Sequence, residues 1–150
     1  MPKSLRRVIA VDDDYISLFL ITNLFAQEKI ADTLLPFTNG TEALNYLSKN
    51  AGDFSQLPEL ILLDIKMPDI SGWQFLQRLN NIEFVAGYEP AICIISAGIS
   101  IDFDVLENSP YVKGYLLKPI IQNKLLAILE SLTSKIQESD VMENISTAVL

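Results

Sequence analysis

Apolar runs too short for helices punctuate the chain at regular intervals, over residues 8–11, 33–37, 60–63, 91–95 and 115–117. The run Leu60-Ile61-Leu62-Leu63 is apolar along its whole length, the mark of a strand buried on both faces. Between the runs lie stretches with helical spacing. The first, Tyr15–Glu28, sets Ile16, Phe19, Leu20 and Leu24 along one side. The second, over 41–49, carries Ala43, Leu44 and Leu47 behind Asn39 and Glu42, spaced as a capping pair. The third starts at Ser71, three residues before Gln74, and carries Phe75, Leu76 and Leu79. A short fourth spans about 101–108. The last runs from Pro119, a residue suited to a first turn, through Leu125, Leu126, Ile128, Leu129 and Leu132. Strands alternating with helices predict an α/β fold: a doubly wound, five-stranded parallel sheet with helices on both faces.

Composition removes most competing functions. The 150 residues suit one domain, predicted over 1–138, and 49% hydrophobic residues suffice for a sizeable core. Residues 139–150 lose strong periodicity and read either as an acidic tail or as a frayed extension of the last helix. One cysteine excludes a disulfide framework, and the absence of histidine excludes imidazole bases and a phosphohistidine on this chain. A net charge of −8 repels phosphate backbones, so no direct nucleic-acid partner is expected. The basic N-terminus leads into a short apolar run halted by three aspartates, which is neither a signal peptide nor a membrane span. A soluble cytoplasmic protein with no membrane insertion is the expectation.

The chemistry lies in what ends each run. The first ends in Asp12-Asp13-Asp14, the third in Asp64, the fourth in Ser96-Ala97-Gly98 and the fifth in Lys118-Pro119. Parallel α/β sheets bind ligands at the carboxyl ends of their strands, where the strand order reverses. In a sheet ordered 2-1-3-4-5 that point lies between strands 1 and 3, the two that end in aspartate. Carboxylates crowded there repel one another, and a hard cation such as Mg²⁺, which takes oxygen ligands, is the natural remedy. A central carboxylate can attack phosphorus, with a hydroxyl and an ammonium nearby to receive the transferred oxygens.

These motifs, Val11-Asp12-Asp13-Asp14, Leu63-Asp64-Ile65-Lys66-Met67-Pro68-Asp69 with Ser71-Gly72, Ile95-Ser96-Ala97 and Tyr115-Leu116-Leu117-Lys118-Pro119, stand in that order across about residues 5–135. Together the chain resembles a response-regulator receiver domain of bacterial two-component signalling. The resemblance implies the flavodoxin-like sheet order 2-1-3-4-5. It implies Asp64 as phosphoacceptor, with Asp12, Asp13, Asp64 and the backbone carbonyl of Lys66 holding Mg²⁺. It further implies Ser96 as the switch hydroxyl, Lys118 as the phosphate-binding lysine ahead of a cis bond to Pro119, and Tyr115 as the rotating aromatic. The expected phosphodonor is a sensor histidine kinase or phosphotransfer protein, and the expected output is a downstream protein that reads the switched face. Because Leu150 follows soon after the last helix, a stand-alone receiver is expected. It would be a signalling switch that catalyses only its own phosphorylation and dephosphorylation.

Plainer readings stand beside these. Asp14 is an N-cap, Cys93 a small buried hydrophobe and Trp73 partial core packing. Tyr115 is a packing residue with switching added, and the Lys66 side chain is either solvated or within reach of the phosphoryl group. Segments 50–58 and 83–89 are longer than usual, as partner-specific loops or as surface variation. Two other functions remain: a non-phosphorylated pseudo-receiver module, against which the full acidic set argues, and a Mg²⁺-dependent phosphoaspartyl phosphatase. The latter needs an acid two residues after its nucleophile, where this chain has Lys66.

Overall fold

The computed structural model describes residues 4–98, 102–118 and 122–132. Strands β1 (Leu5–Val11), β2 (Ala31–Phe37), β3 (Leu60–Asp64), β4 (Ala91–Ser96) and β5 (Val112–Leu117) form one parallel sheet ordered β2-β1-β3-β4-β5. The helices between them are α1 (Tyr15–Glu28), α2 (Gly40–Lys49), α3 (Gly72–Leu79) and α4 (Phe103–Glu107), with α5 over 122–132. Strand order and fold class match the sequence expectation.

Side chains alternate across each strand, so the sheet divides the core in two. Ile9, Val11, Ile61, Leu63, Ile92 and Ile94 face Ala43, Leu47, Phe75 and Leu79 of α2 and α3. Val8, Ala10, Leu60, Leu62, Cys93 and Ile95 face Leu18, Ile21, Phe25, Leu125 and Leu129 of α1 and α5. Every residue of β3 and β4 is buried, whereas β2 is an edge strand and tolerates Pro36 for that reason. Burial raises the Cys93 thiol to about 12, which suits an inert packing group.

The expected face of α1 is wrong in three of its four residues. Ser17, Leu18, Ile21, Leu24 and Phe25 are buried, while Ile16 (71% exposed), Phe19 (64%) and Leu20 (49%) point to solvent. The helix is apolar nearly all round, so its spacing fits two faces equally well and the sheet decides between them. Asp14 starts it as expected, accepting the N–H of Ile16 at 2.9 Å and the hydroxyl of Ser17 at 3.0 Å. It ends at Lys29, whose φ of 51° is left-handed and whose N–H donates to Phe25 O. The other caps form as spaced: Asn39 accepts the Glu42 N–H, and Ser71 and Gln74 make a reciprocal capping box.

The two long segments pack against each other at the amino end of the sheet. Val85 N–H donates to Ala51 O at 2.8 Å, and the Tyr88 hydroxyl donates to Pro58 O at 2.6 Å. Tyr88 meets the edges of Phe54 and Phe84, and Arg6 covers the Phe54 ring at 5.2 Å. Their length closes the end of the core remote from the aspartates. The predicted tail, 139–150, and the Lys118–Pro119 bond lie outside the described residues.

Candidate functional site

Three strand ends build the site. β1 stops where its backbone turns: Asp12 N–H still pairs with Phe37 O, but Asp12 Oδ1 accepts the N–H of Asp14 and bends the chain into α1. Asp13 is thereby left exposed on the rim, beside the buried Asp12. β3 delivers Asp64, 3% exposed, whose Oδ1 accepts the N–H of Lys66 at 3.3 Å. One oxygen from each of Asp12, Asp13 and Asp64 lies within 4.8 Å of the others. From the end of β5, Lys118 reaches in, its Nζ 2.9 Å from Asp12 Oδ2 and 3.3 Å from Asp64 Oδ2.

One ammonium does not balance three carboxylates. Burial and the charge of Asp12 push the Asp64 carboxyl up to about 6, against the opposing pull of Lys118. Burial works against the charge on Lys118, but Asp12 and Asp64 outweigh it and raise its pKa. The Asp12 Oδ2 atom is buried and, the Lys118 ammonium apart, accepts no hydrogen bond among the described residues. A buried anionic oxygen whose one partner is an ammonium shared with Asp64, set among hard oxygen donors, fits a divalent cation such as Mg²⁺.

Ser96 closes β4 within the same end of the sheet, 2% exposed. Its hydroxyl turns toward its own chain, donating to Gly98 O at 2.7 Å and accepting the Gly98 N–H at 3.3 Å, while Ser96 O accepts the N–H of Lys118. Tyr115, half-buried on β5, also donates to Gly98 O, at 3.5 Å. Ser96 and Tyr115 therefore share one carbonyl acceptor, a link that neither residue's sequence context signals. The Lys66 side chain is exposed, which supports the solvated reading. Trp73 packs partly against the core and, with Lys66, Met67 and Asp13, lines an open cleft of about 520 Å³ beside the acidic group.

A family model described as the response regulator receiver domain matches residues 8–130. The chain belongs to that family. This receiver is 29% identical over 140 residues to a 3',5'-cyclic-nucleotide phosphodiesterase, regA, of Dictyostelium discoideum, covering 89% of this chain and 16% of that protein. It is 29% identical to the regulatory protein VanRc of Enterococcus gallinarum, covering 75% of this chain and 43% of that protein. The chain thus spans less than half the length of these two relatives. Among solved structures, a two-component response regulator from Cytophaga hutchinsonii superposes with a TM-score of 0.72 at 25% identity, covering 91% of this chain and 99% of that one. A CheY-like receiver domain from Methanospirillum hungatei shares the fold at a TM-score of 0.73 and 20% identity. Receivers of this family are signalling switches that work with histidine kinases and downstream effectors. No helix among the described residues is long and apolar enough to cross a membrane.

Proposed function

We propose that this receiver accepts a phosphoryl group on Asp64 from a phosphohistidine carried by a sensor kinase or phosphotransfer protein. The supporting observation is the convergence of Asp12, Asp13, Asp64 and Lys118 at the carboxyl ends of β1, β3 and β5. Asp64 is assigned as the nucleophile from its place at the end of β3, where the receiver motif puts the phosphoacceptor; Asp12 is as deeply buried and also meets Lys118, and is assigned to the cation. Its Oδ–P bond forms as the donor N–P bond breaks, and the electron pair leaves on the imidazole nitrogen. Asp12, Asp13, Asp64 and the Lys66 carbonyl would hold Mg²⁺, which neutralises charge on the transferring oxygens. Lys118 exchanges part of its ion pairing for a charge-assisted contact to the phosphoryl group.

The added charge, about −1.5 to −2, draws the Ser96 hydroxyl off Gly98 O. Tyr115 then keeps or strengthens its own bond to that carbonyl, turns inward and changes the face a downstream protein reads. The donor approaches over α1, whose exposed Tyr15, Ile16, Phe19 and Leu20 begin directly after the aspartates. An apolar patch beside an acidic site suits a protein donor.

The deciding experiment is labelling by a small phosphodonor with and without Mg²⁺, read by mass spectrometry. One phosphoryl group on Asp64, dependent on Mg²⁺ and absent from Asp64→Asn, is expected. A label on Asp12 or Asp13, or none on the wild type, overturns the assignment.

A further inference from the structure

The segment joining β3 to α3, residues 65–71, carries Lys66, whose N–H contacts the Asp64 carboxylate. Three contacts hold it. At its base, Gly72 N–H donates to Ile65 O at 2.8 Å, and a Cβ at Gly72 would stand 2.7 Å from Asp64 O. Only glycine lets the segment close so tightly on its own start. On its flank, Ile70 and Met67 lie over Gly40, where a Cβ would meet Ile70 Cγ1 at 2.7 Å and Met67 Cε at 3.4 Å.

The third contact is electrostatic. A helix begins with amides that have no partner inside it. In α2, Asn39 takes the N–H of Glu42, which leaves those of Gly40 and Thr41. Asp69 takes both from outside the helix, at 3.4 Å and 2.8 Å. A carboxylate in that place also faces the positive end of the helix dipole. Helix α2 thus has two caps. One belongs to its own chain segment, and the other is tied to the segment that follows the phosphoacceptor.

We propose that Asp69 is a positioning residue for the acidic site. By pinning the crown of the segment to α2 it sets where the Lys66 backbone stands relative to Asp64, and so sets cation affinity and the rate of phosphoryl acceptance. The role rests on the reading of Asp12, Asp13 and Asp64 as the cation ligands. Asp69 touches neither cation nor phosphoryl group. Without it the glycine closure and the Gly40–Ile70 packing remain, so the protein folds while residues 66–69 relax.

The two caps supply the control. Asp69→Ala and Asn39→Ala each remove one cap from the same helix, but only Asp69→Ala releases the segment. Mg²⁺ alone is the probe, titrated by calorimetry alongside melting curves taken without Mg²⁺. Removing groups that orient metal ligands typically weakens affinity by 10–100-fold, and a loss of about 10-fold is expected for Asp69→Ala. Asp69→Asn, which keeps one acceptor oxygen, should recover part of it. Asn39→Ala should lower the melting temperature and leave Mg²⁺ affinity unchanged. Should Asp69→Ala fail to fold, Asp69→Asn carries the comparison, with affinity between wild type and a tenfold loss. Wild-type affinity in the Asp69 variants, beside a lowered melting temperature, reduces Asp69 to a stabilising cap and overturns the proposal. A wild type that binds no Mg²⁺ overturns the cation reading and the positioning role with it.

Discussion

Asp64 is held in a state that costs the fold stability. Its carboxyl, near 3.8 in an unfolded chain, titrates at about 6 in the folded one, because burial and Asp12 disfavour its charge. The folded state therefore binds the proton more tightly, and stability falls as pH rises from about 4 through 6. Above 6 the full cost is present. Metal-free Asp64→Asn, which has no charge to bury, should then be more stable than wild type by about 1–3 kcal/mol at pH 7. The gap should close as pH falls toward 4, and urea unfolding at the two pH values measures it. A variant less stable than wild type at pH 7 would mean that Lys118 more than neutralises the site. Asp69 works in the opposite direction. Burial is the largest single influence and raises it, but hydrogen bonds from the Thr41 side chain and the backbone of residues 40, 41 and 70 together outweigh it and bring it to about 2. Its contribution is present above about 4 and is lost as pH falls through 2.

Among the elements, α1 carries both a fault and a surface. It ends on Lys29 at a φ of 51°, a conformation that costs a residue with a Cβ and suits glycine. Lys29→Gly should stabilise the protein by about 0.5–1 kcal/mol, read as a shift of the denaturation midpoint at constant slope. Its other end presents Ile16 and Phe19 to solvent. Exposed side chains contribute little to stability, so Ile16→Ser with Phe19→Ser should change it by less than about 1 kcal/mol. Small-donor labelling of Asp64 should persist in the double variant while transfer from a phosphohistidine protein slows. Equal transfer rates would place the donor elsewhere.

For the whole molecule, three acids meet only because the chain is folded, so a cation they bind favours the folded state. Mg²⁺ at 100 times its dissociation constant should add about 2.7 kcal/mol of stability. The melting temperature should rise with Mg²⁺ in the wild type and much less in Asp64→Asn. A wild-type melting temperature indifferent to millimolar Mg²⁺ would remove the cation from the site.

Much of this design is local and therefore legible in the residues themselves. The buried strands β3 and β4 are written as unbroken apolar runs, the caps at Asp14, Asn39 and Ser71 as short-range spacings, and the site as the polar residue ending each strand. Each depends on neighbours within about four positions, and strand chirality with the strand order does the rest. Tertiary structure decided what has no local record. The buried face of α1 was ambiguous because an all-round apolar helix is oriented only by the sheet beneath it. The bond from Asp69 to Thr41 joins residues 28 apart, and the carbonyl shared by Ser96 and Tyr115 belongs to Gly98, a residue with no polar side chain to announce it. Outside the short-range capping spacings, hydrogen bonds to backbone atoms leave no trace in residue identity, and so these contacts were settled by packing rather than by pattern.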